Sequence, residues 1–123
     1  MDNSIDWVEI PVKDMARAKD FYKKVLGKEL ADMAMHEGVE YSFFPWNKDA
    51  MGSGAALIKS KDYKPDNRGV VVYFSCDDLS VELARVVPNG GKVVLPKTAI
   101  GESGFMAHII DTEGNRVGLH SWK

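Results

Sequence analysis

At 123 residues, 45% of them hydrophobic and 28% charged, the chain has the length and composition of one compact globular domain. Its 16 basic residues against 18 acidic ones leave a net charge of -2 with no concentrated basic stripe, which argues against a nucleic-acid backbone as partner. No apolar run approaches the roughly 18 residues that a membrane-spanning helix needs, and MDNSIDWVEI lacks the positive start and apolar core of a secretion signal, so a cytoplasmic protein without a membrane partner is expected.

The first element, IDWVEIPV, alternates as a strand, with Val8, Ile10 and Val12 on one side and Trp7, Glu9 and Pro11 on the other. Pro11 predicts an edge position or a strand end. In DMARAKDFYKKVLG, Asp14 is a candidate N-cap, Ala18, Phe21, Tyr22 and Val25 make an apolar helical stripe, and Gly27 is the stop. KELADMAMHEGVEYSFFPW offers two strands around the turn candidate His36-Glu37-Gly38, and GAALIKS a third. The order then repeats. VVVYFSC is strand-like, DDLSVELARVVPNGG reads as a capped helix ending in glycines, and KVVLP, GFMAHII and RVGLHSW are three further strands. Cys76 ends the strand-like run and reads as a buried free thiol; as the sole cysteine it excludes an intrachain disulfide.

Laying Asp14 over Asp78 gives an offset of 64, which also sets Val8, Ile10 and Val12 over Val72, Phe74 and Cys76. The predicted fold class is α+β, a single domain over 1–123. It comprises two paired βαβββ modules, 4–60 and 70–123, with a linker at 61–69, forming a concave mixed sheet. Neither module can cover both faces of its own four strands, so side-by-side pairing is the economical arrangement. If helices cover the Val8/Ile10/Val12 and Val72/Phe74/Cys76 sides, then Trp7, Glu9, Val71 and Tyr73 face the concavity.

On these segments the chain resembles the glyoxalase, bleomycin resistance and extradiol dioxygenase superfamily, the vicinal oxygen chelate fold. IPVKDMARAKDFYKKVLG, VVVYFSCDDLS and GFMAHIIDTEGNRVGLHS carry the resemblance, which covers nearly the whole chain. More narrowly it is similar to short proteins related to lactoylglutathione lyase. The resemblance implies a divalent metal in the concavity, held by side chains of the first and last strands of each module. Carried over by position, those sites fall on Trp7, Val71 and Gly118, with Gly54 as the counterpart of Gly118 under the offset of 64. None of the four side chains can ligate a metal: indole only donates, and the others carry no polar group. No metal residue is therefore assigned and no cofactor expected, a divalent metal being the alternative.

The remaining polar candidates are Glu9, His108 and His120, as acid/base groups. His120 shares a strand face with Gly118, and His108 shares one with Met106. If Ile110 pairs with Arg116, then His108 pairs with Gly118 and Met106 with His120; a slip of one residue turns the two histidines apart. Trp7 is either a core aromatic filling the space of the missing metal or a stacking wall for a planar ligand. Trp7, Tyr73, Lys97 and Met106 are the candidate substrate-binding residues. Lys97 lies in LPKTAIGESG, read as a loop in which it either attracts an anionic group or is merely solvated. In DTEGN, Asp111 is expected to accept backbone N–H bonds, Gly114 and Asn115 to tolerate left-handed backbone, and Glu113 to be a solvated tip. PNGGK is no phosphate loop and GESGF no serine-nucleophile elbow.

Two functions follow from different classes. The first is a small-molecule binding protein, or an enzyme using acid/base residues without the family metal. The second is a divalent-metal lyase, isomerase or dioxygenase with a displaced site built from His108, His120 and Glu9. A purely structural or protein-interaction role is a third reading. The cluster Tyr41, Phe43, Phe44 and Trp46 suggests a homodimer contact.

Overall fold

The computed structural model describes residues 3–123, apart from the side chains of residues 34–36. In chain order the elements are β1 (Trp7–Pro11), α1 (Met15–Leu26), β2 (Ala31–His36), β3 (Val39–Phe43), β4 (Gly54–Lys59), β5 (Val72–Ser75), α2 (Leu79–Ala84), β6 (Lys92–Ala99), β7 (Phe105–Ile110) and β8 (Arg116–Ser121). They form two mixed four-stranded sheets, ordered β1-β4-β3-β2 and β5-β8-β7-β6, with β1 parallel to β4 and β5 parallel to β8. The remaining pairings are antiparallel. This is the twofold βαβββ arrangement that the repeat predicts.

Local chemistry sets α1. The Asp14 side chain accepts the Arg17 N–H at 3.0 Å, and Gly27, at φ 69°, sends its N–H to the Lys23 carbonyl at 2.9 Å. Between these caps Met15, Ala18, Phe21, Tyr22 and Val25 bury one stripe. That stripe joins Ile10, Leu57, Val86, Ile109 and Leu119 in a single core drawn from both modules. Phe21 is 1% exposed, so truncating it to alanine would cost about 3–5 kcal/mol.

α2 is shorter than its sequence pattern. Asp78 caps it by accepting the Ser80 N–H at 3.0 Å, but the helix stops at Ala84 and a 3₁₀ turn, Val87–Asn89, takes the chain onward. Pro88 has no N–H to continue an α-helix and disfavours helical backbone at Val87. β6, in turn, is longer than KVVLP: it runs to Ala99 with two shifts of register against β7, so much of the expected LPKTAIGESG loop is strand.

The β7–β8 turn also differs from expectation, and it determines how the modules meet. Asp111 accepts the Glu113 and Asn115 N–H groups at 2.8 and 2.9 Å, as its sequence position predicts, and also the Tyr22 hydroxyl at 2.6 Å. Asn115 donates to the Pro11 carbonyl and accepts the Asp66 N–H. Asn115 does not adopt left-handed backbone; in this turn that falls to Gly114, at φ 96°. Glu113 is no solvated tip. It is 4% exposed and accepts the backbone N–H groups of Lys13 and Asp14, both at 2.8 Å, and two N–H groups of Arg17 at 2.7 and 3.0 Å. Burial alone would push this carboxyl up, but Arg17, the two backbone donors and the Thr112 hydroxyl outweigh it and hold it at about 2. The turn is thus a clasp from the second module onto the start of α1 in the first.

Candidate functional site

Alternation along β1 and β5 turns Ile10 toward the helices and Trp7, Glu9 and Tyr73 toward the opposite, concave side. A cleft of about 790 Å³ opens between these two edge strands, lined among others by Trp7, Glu9, Pro11, Val71, Tyr73 and Arg116. Trp7 and Tyr73 remain 42% and 46% exposed, so two aromatic faces are presented to solvent on either side of the seam.

Each ring is seated against a glycine on the neighbouring strand. Trp7 pairs with Gly54, where a β-carbon would fall 2.6 Å from the Trp7 ring and 2.9 Å from that of Trp46. Tyr73 pairs with Gly118, where a β-carbon would overlap the Tyr73 ring. The glycines admit the rings by having no side chain. Trp7 also meets Phe43 edge to face at 5.4 Å, and Phe43 meets Tyr41 in the same manner at 6.0 Å. Of the expected aromatic cluster, Phe44 belongs to the core, whereas Trp46 is 64% exposed.

The β7–β8 register pairs Ile110 with Arg116, His108 with Gly118 and Met106 with His120. His108 and His120 therefore share the concave side but sit on a diagonal, each with its own partners. His108 Nε2 lies 2.5 Å from the Tyr73 hydroxyl, and its Nδ1 lies 3.0 Å from Arg116 Nη1. Burial, and then the Arg116 charge, lower the His108 pKa. His120 Nε2 donates to the Ser103 carbonyl at 2.6 Å, and its ring meets Trp122 edge to face. Glu9 stands on the other sheet, where its carboxylate accepts the Trp7 indole N–H at 3.4 Å.

The structure thus brings Tyr73, Met106 and His108 together, sets His120 across from Met106 in a depression that Tyr73 also lines, and leaves Glu9 on the other sheet. Among the described residues no three His, Cys, Asp or Glu side chains gather as a metal-binding group. Lys97 is also drawn elsewhere. It bonds Asp78 and Ser80 at the start of α2 and lies 4.6 Å over the Phe105 ring, so Lys97, read as a loop residue that either attracts an anion or is solvated, is a strand residue tied to a helix cap. Arg116 is the functional candidate that the sequence reading missed. The period-two signal that sets His120 on the face of Gly118 sets Arg116 there too. Cys76 is half-buried, and desolvation followed by the charge of Glu82 pushes its thiol up to about 12, which leaves it protonated.

Residues 4–119 match the family described as the Glyoxalase/Bleomycin resistance protein/Dioxygenase superfamily. The chain belongs to this superfamily. A curated relative, CFP32 of Mycobacterium tuberculosis (strain CDC 1551 / Oshkosh), carries a provisional glyoxylase name. It is 32% identical over 117 residues, which cover 93% of this chain and 44% of that protein. The chain therefore spans less than half the length of the curated relatives it matches. Among solved structures, TnmS3, an antibiotic binding protein from Streptomyces sp. CB03234, superposes with a TM-score of 0.66 at 26% identity and covers 98% of each chain. Glyoxalase I from Zea mays superposes at 0.73, with 19% identity, over 94% of this chain and 44% of that one, a likeness of fold.

The superfamily resemblance implies a divalent metal, and the residues here do not fit one. Trp7, Val71 and Gly118 supply no ligand atom, and the rings of Trp7 and Tyr73 lie over Gly54 and Gly118. One counterpart changes. The register pairs Glu9 with Ala56 and Tyr73 with Gly118, so Ala56, not Gly54, corresponds to Gly118 when Glu9 is laid over Tyr73. The last strands of the two modules are two residues out of step with the offset of 64, because the connections before them differ in length. An alanine supplies no ligand either.

Proposed function

We propose that this superfamily member binds a small planar, largely apolar molecule in the cleft between its two sheets, without a metal. The observation that carries this reading is the pair of exposed aromatic faces, Trp7 and Tyr73, each backed by a cross-strand glycine beside a cleft of about 790 Å³. That size lies in the usual range for ligand pockets, and apolar walls with few polar groups suit such a ligand. The likeness to an antibiotic binding protein over 98% of both chains supports the same reading. The proposed setting is a cytoplasmic homodimer, with exposed Trp46 and its neighbours at the contact between copies.

The test is displacement of a fluorescent reporter. Anilinonaphthalene sulfonate should bind with a blue-shifted emission, planar aromatic compounds should displace it, and Trp7→Ala and Tyr73→Ala should each weaken binding severalfold while remaining folded. Equal reporter affinity in both folded variants and wild type would remove the cleft from consideration.

A further inference from the structure

The hydrogen bonds around Tyr73 have a direction. A guanidinium can only donate, so Arg116 Nη1, 3.0 Å from His108 Nδ1, makes that nitrogen an acceptor. A neutral imidazole then carries its proton on Nε2. That Nε2–H points at the Tyr73 oxygen, 2.5 Å away, so the phenol accepts from the histidine. Its own hydrogen is left to be donated elsewhere, and the acceptor nearby is the Met106 thioether sulfur at 3.7 Å, a weak acceptor. Tyr73 is 46% exposed and lines both the cleft between the sheets and a second depression that it shares with Ser75, Ser103, Met106 and His120.

We infer that Tyr73 is a directed hydrogen-bond donor for a ligand oxygen, oriented by His108 and Arg116, and that the ligand class is a planar aromatic molecule bearing a carbonyl or ionised oxygen at its edge. This rests on the binding function proposed above and narrows it. A ligand oxygen is a far stronger acceptor than a thioether, so it takes the hydroxyl hydrogen from Met106 at little cost. The acceptance from His108 polarises the phenol and strengthens its outward bond. Arg116, behind the imidazole, fixes the tautomer and adds positive potential on the side from which a negative oxygen is attracted. His108 and Arg116 are positioning residues, since they act through Tyr73.

The experiment compares two probes of nearly equal shape, acetylnaphthalene and ethylnaphthalene, which differ by a carbonyl in place of a methylene. Their dissociation constants are measured for wild type, Tyr73→Phe and His108→Phe, each variant first checked by thermal melting. Dividing variant by wild type for each probe cancels the difference in their hydrophobicity. Tyr73→Phe should weaken acetylnaphthalene about three- to tenfold, the effect of one lost hydrogen bond, and leave ethylnaphthalene within about twofold. His108→Phe keeps a ring beside Tyr73 and should reproduce part of that selective loss, which a merely structural role would not. If wild type binds both probes and the variants change both alike or neither, the donor assignment is wrong while the aromatic cleft stands. If wild type binds neither probe, the binding reading falls and takes this inference with it.

Discussion

Replacing Glu113 tests the physical account of how the two modules are held together. Its carboxylate accepts two backbone N–H groups, of Lys13 and Asp14, and is paired with Arg17 through two nitrogens. The fall of its pKa from the ordinary 4.5 to about 2 corresponds to roughly 3 kcal/mol favouring the charged form, at about 1.4 kcal/mol for each pH unit. The Arg17 side chain is 49% exposed, so water screens part of that pair and a net value of about 2–3 kcal/mol is expected. Glu113→Gln keeps the volume and one acceptor oxygen and should cost about 1–3 kcal/mol. Glu113→Ala strands both backbone donors and should cost more, about 3–5 kcal/mol. Urea unfolding followed by circular dichroism measures both. The pH dependence adds an independent check. Because the folded pKa is depressed, the stabilisation is complete above the ordinary 4.5 and is lost as pH falls toward about 2, so wild type and Glu113→Gln should converge in acid. A Glu113→Ala protein within about 0.5 kcal/mol of wild type at neutral pH, or a wild-type advantage over Glu113→Gln that persists undiminished near pH 2, would refute the reasoning.

Gly118→Ala should destabilise the fold by about 1–3 kcal/mol in a thermal melt, because its β-carbon overlaps the Tyr73 ring; a neutral substitution would mean that the ring is not seated there. With its thiol at about 12, native Cys76 should react with Ellman's reagent at least about a hundredfold more slowly near pH 8 than the unfolded chain does, and equal rates would contradict its protonated state. His108, lowered by burial and Arg116, should titrate below the ordinary 6.5 in an NMR titration of the folded protein. The unfolded chain takes up its proton first, so His108 contributes stability above that pH and loses it on acidification; a midpoint above 6.5 would reverse the assignment. Elemental analysis after gentle dialysis should find well under one divalent metal per chain, whereas a stoichiometric metal lost on His108→Ala would favour a displaced metal site.

Elements whose determinants are local could be read from the sequence. For α1, the cap Asp14, the apolar stripe and Gly27 all lie within one short segment, and the helix forms where they predict. The length of β6 could not be read in this way, because Pro96 and Lys97 look like loop residues and fall in a register shift; the strand continues past them only because Thr98 and Ala99 pair with Met106 and Phe105 on β7. Glu113 illustrates the limit most sharply. Nothing beside it in the chain indicates burial, since the backbone N–H groups it satisfies lie about a hundred residues earlier. At the site, the faces of Tyr73, His108 and Met106 were legible from alternation, but their meeting depends on the pairing of Ile110 with Arg116. The sequence permits that register without enforcing it over a slip of one residue.

The rings seated on glycines also constrain how this protein can change. A glutamate placed at Gly118 to restore a metal ligand would strike the Tyr73 ring before it reached any ion, and any side chain placed at Gly54 would strike Trp7. Each ring in turn leaves a bare glycine and a gap if it alone is cut back. A single step at Gly118 is therefore obstructed, and a ligand there requires paired substitutions at Gly118 and Tyr73 across neighbouring strands. The energetic effects of those substitutions are far from additive. In evolutionary terms the Tyr73–Gly118 pair behaves as a latch: with ring and glycine both in place, neither position changes alone without a clash or a gap.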